Sequence, residues 1–262
     1  MRYLFGFICV CALGVMPLVG CSDNNGGGGG SAGTGGSAGA GGTAGTGGSG
    51  GTPGTVPLIV IVFETNSISI TDLGAGLEGV SVCEDGTGNC ELTDDSGSAT
   101  IMLPADRAIG YTMTKEGYIS YLVSDVTDET FTGLSTNWPM FTESQIEEIA
   151  ANLVIEYPLQ GSWLALATFP RLAGATFDLV GETAKSYYND ESGVGQLDLT
   201  ETTSVGTGGF LELSEGEHEV EFGGATANCT PAIAPDSDTA NRITVTLRAG
   251  YTTYASMNCE TP

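Results

Sequence analysis

The sequence predicts an all-β protein: two antiparallel β-sandwich domains, one short connecting helix between them, and a disordered Gly-rich tether in front. Three observations carry this expectation. From residue 57 onward apolar residues recur with period two or in short continuous runs. Turn residues interrupt them every dozen or so positions, the spacing of antiparallel sandwiches rather than of βαβ units. The pattern also occurs twice along the chain.

The elements are taken in chain order. Met1-Arg2 is a short basic start, and an uncharged, mostly apolar run follows to Leu18-Val19-Gly20-Cys21. That run is short for a membrane-spanning helix, which needs about 20 apolar residues. Small residues beside the cut are what a signal peptidase requires. The segment resembles a bacterial lipoprotein signal with its lipobox. The resemblance implies removal of residues 1–20 and a diacylglycerol on the Cys21 thiol. Each buried acyl CH₂ contributes about 0.8 kcal/mol, so two or three chains hold a protein at a membrane durably. Ser22, rather than an aspartate, follows the lipidated cysteine and leans the sorting toward the outer membrane.

Residues 21–56 are the lipidated cysteine and its linker, in which about half of the positions are glycine. At about 5–6 Å × √n, such a linker has an r.m.s. span of roughly 30–35 Å. Gly35-Gly36-Ser37-Ala38-Gly39 and Gly47-Gly48-Ser49-Gly50-Gly51 match the Gly-x-Ser-x-Gly hydrolase pattern. They lack its strand-turn-helix context, and composition explains them.

The first β domain is expected over 57–132. Residues 58–63 (LIVIVF) form a continuous apolar strand, and Val80, Val82 and then Ile109, Tyr111, Met113 alternate. A connector over 133–158 holds the helix. There Thr142 and Gln145 form a capping box, Phe141 and Ile146 a hydrophobic staple, and Ile146, Ile149, Ala150 and Leu153 one apolar face. The second domain is expected over 159–262, where Ile243, Val245 and Leu247 alternate, as do His218, Val220 and Phe222.

In the repeat, Leu77-Glu78-Gly79-Val80-Ser81-Val82 parallels Leu172-Ala173-Gly174-Ala175-Thr176-Phe177. Asp94-Asp95-Ser96-Gly97 parallels Asp190-Glu191-Ser192-Gly193, with Ile101 and Leu103 answered by Leu197 and Leu199. The Gly-Val-x-Val strand, the Asp-Asp-x-Gly turn, the Leu103-Pro104 turn and Lys115-Glu116-Gly117-Tyr118 together resemble the carboxypeptidase regulatory-like domain. The match covers about 57–130 well and 160–262 loosely. That resemblance implies a transthyretin-like sandwich of roughly seven strands and a non-catalytic accessory role.

Chemistry-bearing residues are few. The cysteines beyond the anchor are Cys83, Cys90, Cys229 and Cys259, an even number that reads as disulfides in an exported chain. Cys83–Cys90 and Cys229–Cys259 are favoured because each pair stays within one repeat; a four-thiolate zinc site is the alternative. The single histidine, His218, sits on a strand face with Val220 and Phe222, which makes a core-edge residue the expectation and a Ser-His-Asp triad the alternative. The acidic turns read as Asx turns or as calcium ligands. Tyr118, Tyr121, Tyr187, Tyr188, Tyr251 and Tyr254 read as packing residues or as stacking faces for sugars. No catalytic residue, cofactor or metal is nominated.

With 7 Lys+Arg against 32 Asp+Glu the formal net charge is −25. It repels phosphate backbones, which excludes nucleic acid as a partner, and disfavours anionic headgroups. The membrane contact expected is the lipid on Cys21. The function expected is non-enzymatic display of the β domains on the cell envelope for structural or interaction roles, with a glycan- or Ca²⁺-binding module as the alternative. A protein or glycan partner is implied without an identity.

Overall fold

The computed structural model describes residues 54–127, 136–235 and 237–261, all within one compact unit spanning residues 50–262. The signal over 1–20, Cys21, the two Gly-x-Ser-x-Gly stretches and all but the end of the linker lie outside the described residues.

The described residues are mostly strand, with one helix. In chain order the strands of the first half are β1 (Thr55–Thr65), β2 (Leu73–Gly76), β3 (Ser81–Glu84), β4 (Cys90–Leu92), β5 (Ser98–Pro104), β6 (Arg107–Thr114), β7 (Ser120–Thr127) and β8 (Thr136–Met140). Helix α1 (Glu143–Asn152) follows. The second half has β9 (Ser162–Phe169), β10 (Ala175–Leu179), β11 (Lys185–Asn189), β12 (Gly195–Gln196), β13 (Thr207–Leu213) and β14 (Gly216–Gly224). It ends with β15 (Ala227–Ile233), β16 (Arg242–Leu247) and β17 (Tyr251–Glu260).

These strands make three sheets. One holds β1 between β8 on one edge and β5 and β2 on the other. Another has the order β10-β14-β16. The third is long and continuous, β12-β11-β13-β9-β17-β7-β6-β3-β4, with β15 beside the far end of β17. Strands of both halves therefore share one sheet, and β17 is the seam: Thr252–Tyr254 pair with Tyr121–Val123 on one edge and with Trp163–Ala165 on the other.

The expectation of purely antiparallel sandwiches is corrected at three ladders. β1 with β8, β9 with β17 and β7 with β17 are all parallel. Parallel neighbours are joined by long connections rather than hairpins, and periodicity along one strand carries no trace of them. The stretch expected as a connector, 133–158, contains β8 as well as the helix. β1 begins at Thr55, two residues before the expected domain start.

Four ladders of the first half recur in the second. β1 is antiparallel to β5 and parallel to β8, as β9 is to β13 and β17. β6 lies antiparallel between β3 and β7, as β14 does between β10 and β16. One threonine per copy ties the turn that leads into β3 or, in the second half, β10. Thr93 Oγ1 donates to Leu77 O (2.6 Å) and accepts from Val80 N (2.9 Å). Thr202 Oγ1 likewise donates to Leu172 O (2.6 Å) and accepts from Ala175 N (2.9 Å).

This bond pattern corrects the repeat register. The counterpart of Thr93-Asp94 is Thr202-Thr203, not the Asp190 turn. Gly206 N donates to Thr203 O as Gly97 N does to Asp94 O, a bond the Asp190 turn also makes, so the threonine bonds set the register. Leu197 is exposed, and β13 with Phe210 and Leu213 takes the place expected for 197–199. The separation from leucine to threonine is 16 residues in the first copy and 30 in the second. The extra length carries β11, the Asp190 turn and β12. Replacing Thr202 by the near-isosteric valine strands one buried amide and one carbonyl. A loss of about 2 kcal/mol is expected in urea unfolding, and Thr93→Val should match it.

Two cores fill the space between the long sheet and its covers. Leu58, Val60 and Ile101 of the short β1 sheet meet Val82, Tyr111 and Met113 of the long one. Phe177, Phe222 and Ile243 of the β10 sheet meet Leu164, Phe210 and Met257. Adjacent residues Tyr254 and Ala255 of β17 belong to different cores, and successive side chains on a strand point to opposite faces. The two short sheets thus cover opposite faces. Helix α1 covers the remaining face of the second half, packing Ile146, Ile149 and its C-cap Leu153 on Tyr187 and Leu211. Its capping box is formed, with Gln145 N donating to Thr142 Oγ1 and Thr142 N to Gln145 Oε1.

The helix is more than a connector. Gln145 Nε2 donates to Thr65 O and Ser67 O of the first half, and Asn152 Nδ2 to Gly195 O of the second. Two further clamps join the halves. Ile70 N and Thr71 Oγ1 donate to the Asp190 turn at Gly193 O and Ser192 O. Arg248 holds Asp85 with two bonds, of 2.6 and 3.0 Å. That fork, led by its hydrogen bonds, lowers the Asp85 carboxyl below its ordinary 3.8. The clamp is therefore complete at neutral pH and weakens as acid titrates Asp85 below that value.

Candidate functional site

The sequence-nominated residues fall into place first. Cys83 and Cys90 sit directly opposite each other on β3 and β4 and are bonded; Cys229 and Cys259 are bonded across β15 and β17. The first bridge has Cys90 on the surface, and the second is buried in the second core.

His218 is 4 % exposed. Its Nδ1 lies 3.1 Å from both carboxylate oxygens of Glu182, and its Nε2 lies 2.9 Å from Ser214 O. A triad requires a nucleophilic hydroxyl on the nitrogen opposite the carboxylate. Here a backbone carbonyl occupies that position, so His218 is a strut between β14 and its neighbouring turns.

The acidic turns are Asx turns. Asp94 Oδ1 accepts from Ser96 N, Ser96 Oγ and Ser98 N, and Asp190 Oδ1 accepts from Ser192 N, Ser192 Oγ and Val194 N. These bonds lower both carboxyls from the ordinary aspartate value. Among the described residues no three His, Cys, Asp or Glu side chains converge as a metal site would require.

The tyrosines divide. Tyr188 is buried in the second core, Tyr118 donates to Glu64, and Tyr251 lies under Arg248. Tyr121, Tyr187 and Tyr254, from three different strands, line one cleft of about 390 Å³, within the range of small-molecule sites. The long sheet supplies the floor. Ala165 of β9 and Gly208 of β13 keep it low; a Cβ on Gly208 would stand 2.6 Å from Tyr187 O. Trp138 and Pro139 of β8 and Ile70 of the β1–β2 loop form the opposing wall. The second-copy insert adds Tyr187 and Asn189.

Trp138 anchors the wall. It is 3 % exposed, with Tyr121 and Tyr254 rings at 5.9 and 5.0 Å between centroids. Its indole nitrogen has no acceptor among the described residues. Tyr121 also donates to Pro139 O across the cleft base. Asn189 is held by a bond from its Nδ2 to Thr207 Oγ1. Arg171, exposed just beyond β9, stands at the rim. Its guanidinium carbon is 5.5 Å from the Phe169 ring centroid, and Nη1 donates to Val205 O. Burial raises the Tyr121 and Tyr187 phenols well above their usual range. Burial raises Tyr254 too, and the nearby Arg171 charge pulls it partly back. All three stay protonated, so Arg171 gives the cleft its only formal charge among the described lining residues.

Sequence reading missed this cleft because its parts come from β7, β8, β9, β11, β13 and β17. The long spacing between Leu172 and Thr202 was the one available signal that the second copy had gained a structural element.

No protein-family model matches the chain, and no curated protein matches it. Among solved structures, the Bacillus anthracis TIE protein aligns with 79 % of this chain at 13 % identity, with a TM-score of 0.26. A double mutant of shaft pilin SpaA from Lactobacillus rhamnosus GG aligns with 80 % at 12 % identity and 0.24. GBS52, a minor pilin of Streptococcus agalactiae, aligns with 79 % at 14 % and 0.23. The match covers 34 % of the first of these proteins, 99 % of the second and 96 % of the third. Likeness at this level establishes neither family nor function.

Proposed function

We propose that this chain is a lipid-anchored, non-catalytic display protein of the bacterial cell envelope. In this reading Cys21 carries the acyl chains, the Gly-rich linker from residue 22 up to β1 lets the folded part stand off the membrane, and the β unit serves structural or interaction roles. The observation that carries the non-catalytic part is the closed bonding of the chain's one histidine between Glu182 and Ser214. The acidic turns spend their inner carboxylate oxygens on their own backbone in the same way.

The finer description is two carboxypeptidase regulatory-like sandwiches, about 57–132 and 159–262, with 133–158 between them. The repeated ladders and the paired Thr93 and Thr202 turns support it. The shared long sheet adds that the copies act as one body. Placement in the outer membrane rests on Ser22 after the lipidated cysteine.

The test is fractionation and acyl labelling of the full chain in a bacterium that processes lipoproteins. Wild type should label with radioactive palmitate and sediment with membranes, and Cys21→Ala should lose the label and move to the soluble fraction. An unlabelled wild type, or a Cys21→Ala chain still bound to membranes, would contradict the anchor.

A further inference from the structure

We infer that the cleft between β8 and the long sheet is a binding site for a small apolar molecule carrying one carboxylate, with Arg171 as the residue that receives the charge. This goes beyond the display role and does not depend on acylation of Cys21.

The argument begins with electrostatics. The chain has 32 acidic residues, yet among the described residues none lines this cleft, and a guanidinium stands at its rim. The other described arginines, Arg107, Arg242 and Arg248, are each bonded to a carboxylate of the chain, Lys185 lies 3.6 Å from Glu212, and Lys115, away from this cleft, donates to Glu78 O. Arg171 has no carboxylate partner among the described residues. Among the described residues its one side-chain hydrogen bond goes to Val205 O, which leaves four of the five guanidinium N–H donors without a partner there. Phe169 under the guanidinium fixes its position beside the opening. A guanidinium held in this way accepts a carboxylate through two parallel bonds.

The interior selects the rest of the ligand. Apolar and aromatic side chains dominate the walls, with Tyr254 packed edge to face on Trp138 and the Tyr121 ring tilted against it. A flat or aliphatic body displaces water from these surfaces, whereas a polyhydroxylated ring leaves most of its hydroxyls without partners. The volume, about 390 Å³, suits a ligand of one or two fused rings. Anion at the rim and apolar body inside is the arrangement that satisfies both ends.

Trp138 provides the readout, because the chain has only two tryptophans and Trp163 is not part of this cleft. In the full chain carrying Trp163→Phe, 2-naphthoate should quench Trp138 emission saturably with one site. The uncharged 2-naphthylmethanol should bind at least about tenfold more weakly, the value of a charge-assisted pair. Arg171→Gln should weaken naphthoate by a similar factor and leave the alcohol unchanged. Calorimetry on the chain without Trp163→Phe repeats the comparison free of any folding defect from that substitution. Absence of saturable binding by either compound in both measurements would overturn the proposal. So would equal affinity for acid and alcohol, or binding of glucuronate with no response to naphthoate, which would make the cleft a site for acidic sugars.

Discussion

Replacing Cys229 and Cys259 together with alanine should lower the unfolding free energy by about 3.7 kcal/mol, the larger of the two disulfide effects in this chain. The bridge closes a sequence separation of 30 residues, and restricting a loop of that length removes about this much entropy from the unfolded state. The Cys83–Cys90 bridge closes a separation of only 7, worth about 2.5 kcal/mol by the same relation. Burial widens the difference. Cys229 and Cys259 pack among Phe222, Ile243 and Met257, so their loss also thins the second core, while Cys90 lies at the surface. Urea unfolding of the two double variants measures both numbers. A Cys83/Cys90 variant as unstable as the Cys229/Cys259 variant would contradict the assignment of the core bridge.

Thr253→Pro should have the next largest effect, more than about 3 kcal/mol. Thr253 lies opposite Leu122 on one edge and Leu164 on the other, in the middle of the Thr252–Tyr254 stretch of β17 that is paired on both edges and joins the halves. Proline there removes a ladder donor and places its ring against a paired neighbour, which interior strands do not tolerate. The threonine side chain is nearly irrelevant, since its hydroxyl reaches only Thr246 O at 3.4 Å. Thr253→Val is thus the control and should stay within about 1 kcal/mol of wild type. Melting curves of the two variants separate a backbone effect from a side-chain one. Equal stability of Pro and wild type would mean that β17 does not hold the seam.

Much of the fold was legible in the sequence because local chemistry decided it. The alternation at Ile109, Tyr111 and Met113, the capping box at Thr142 and Gln145, and the hairpin cysteines Cys83 and Cys90 each report on neighbours within a few residues. The parallel ladders of β8 and β17 were not legible, since their partners are chosen by tertiary packing. The repeat register slipped for a physical reason. Asp-x-Ser-Gly makes the same Asx turn wherever it occurs, so the Asp190 turn imitates the Asp94 turn without being its counterpart. Thr202, the true counterpart of Thr93, is an ordinary threonine until its bonds to Leu172 and Ala175 are seen. The cleft was hidden for the same reason as the seam. The sequence offers Tyr121, Tyr187 and Tyr254 as packing residues or stacking faces without showing that they converge, and neither Arg171 nor Trp138 carries a local signal.

The continuous sheet implies that both copies unfold together, and the two tryptophans report on them separately. Trp138 belongs to the first core, and Trp163 packs on the helix-covered face of the second half. Urea unfolding should be followed by fluorescence in Trp138→Phe and Trp163→Phe chains, with circular dichroism recorded on each. If the seam at β17 makes one body, fluorescence and dichroism coincide in a single transition in each variant. Two transitions, with Trp138 and Trp163 each following a different one, would show instead two independent domains that merely lie side by side.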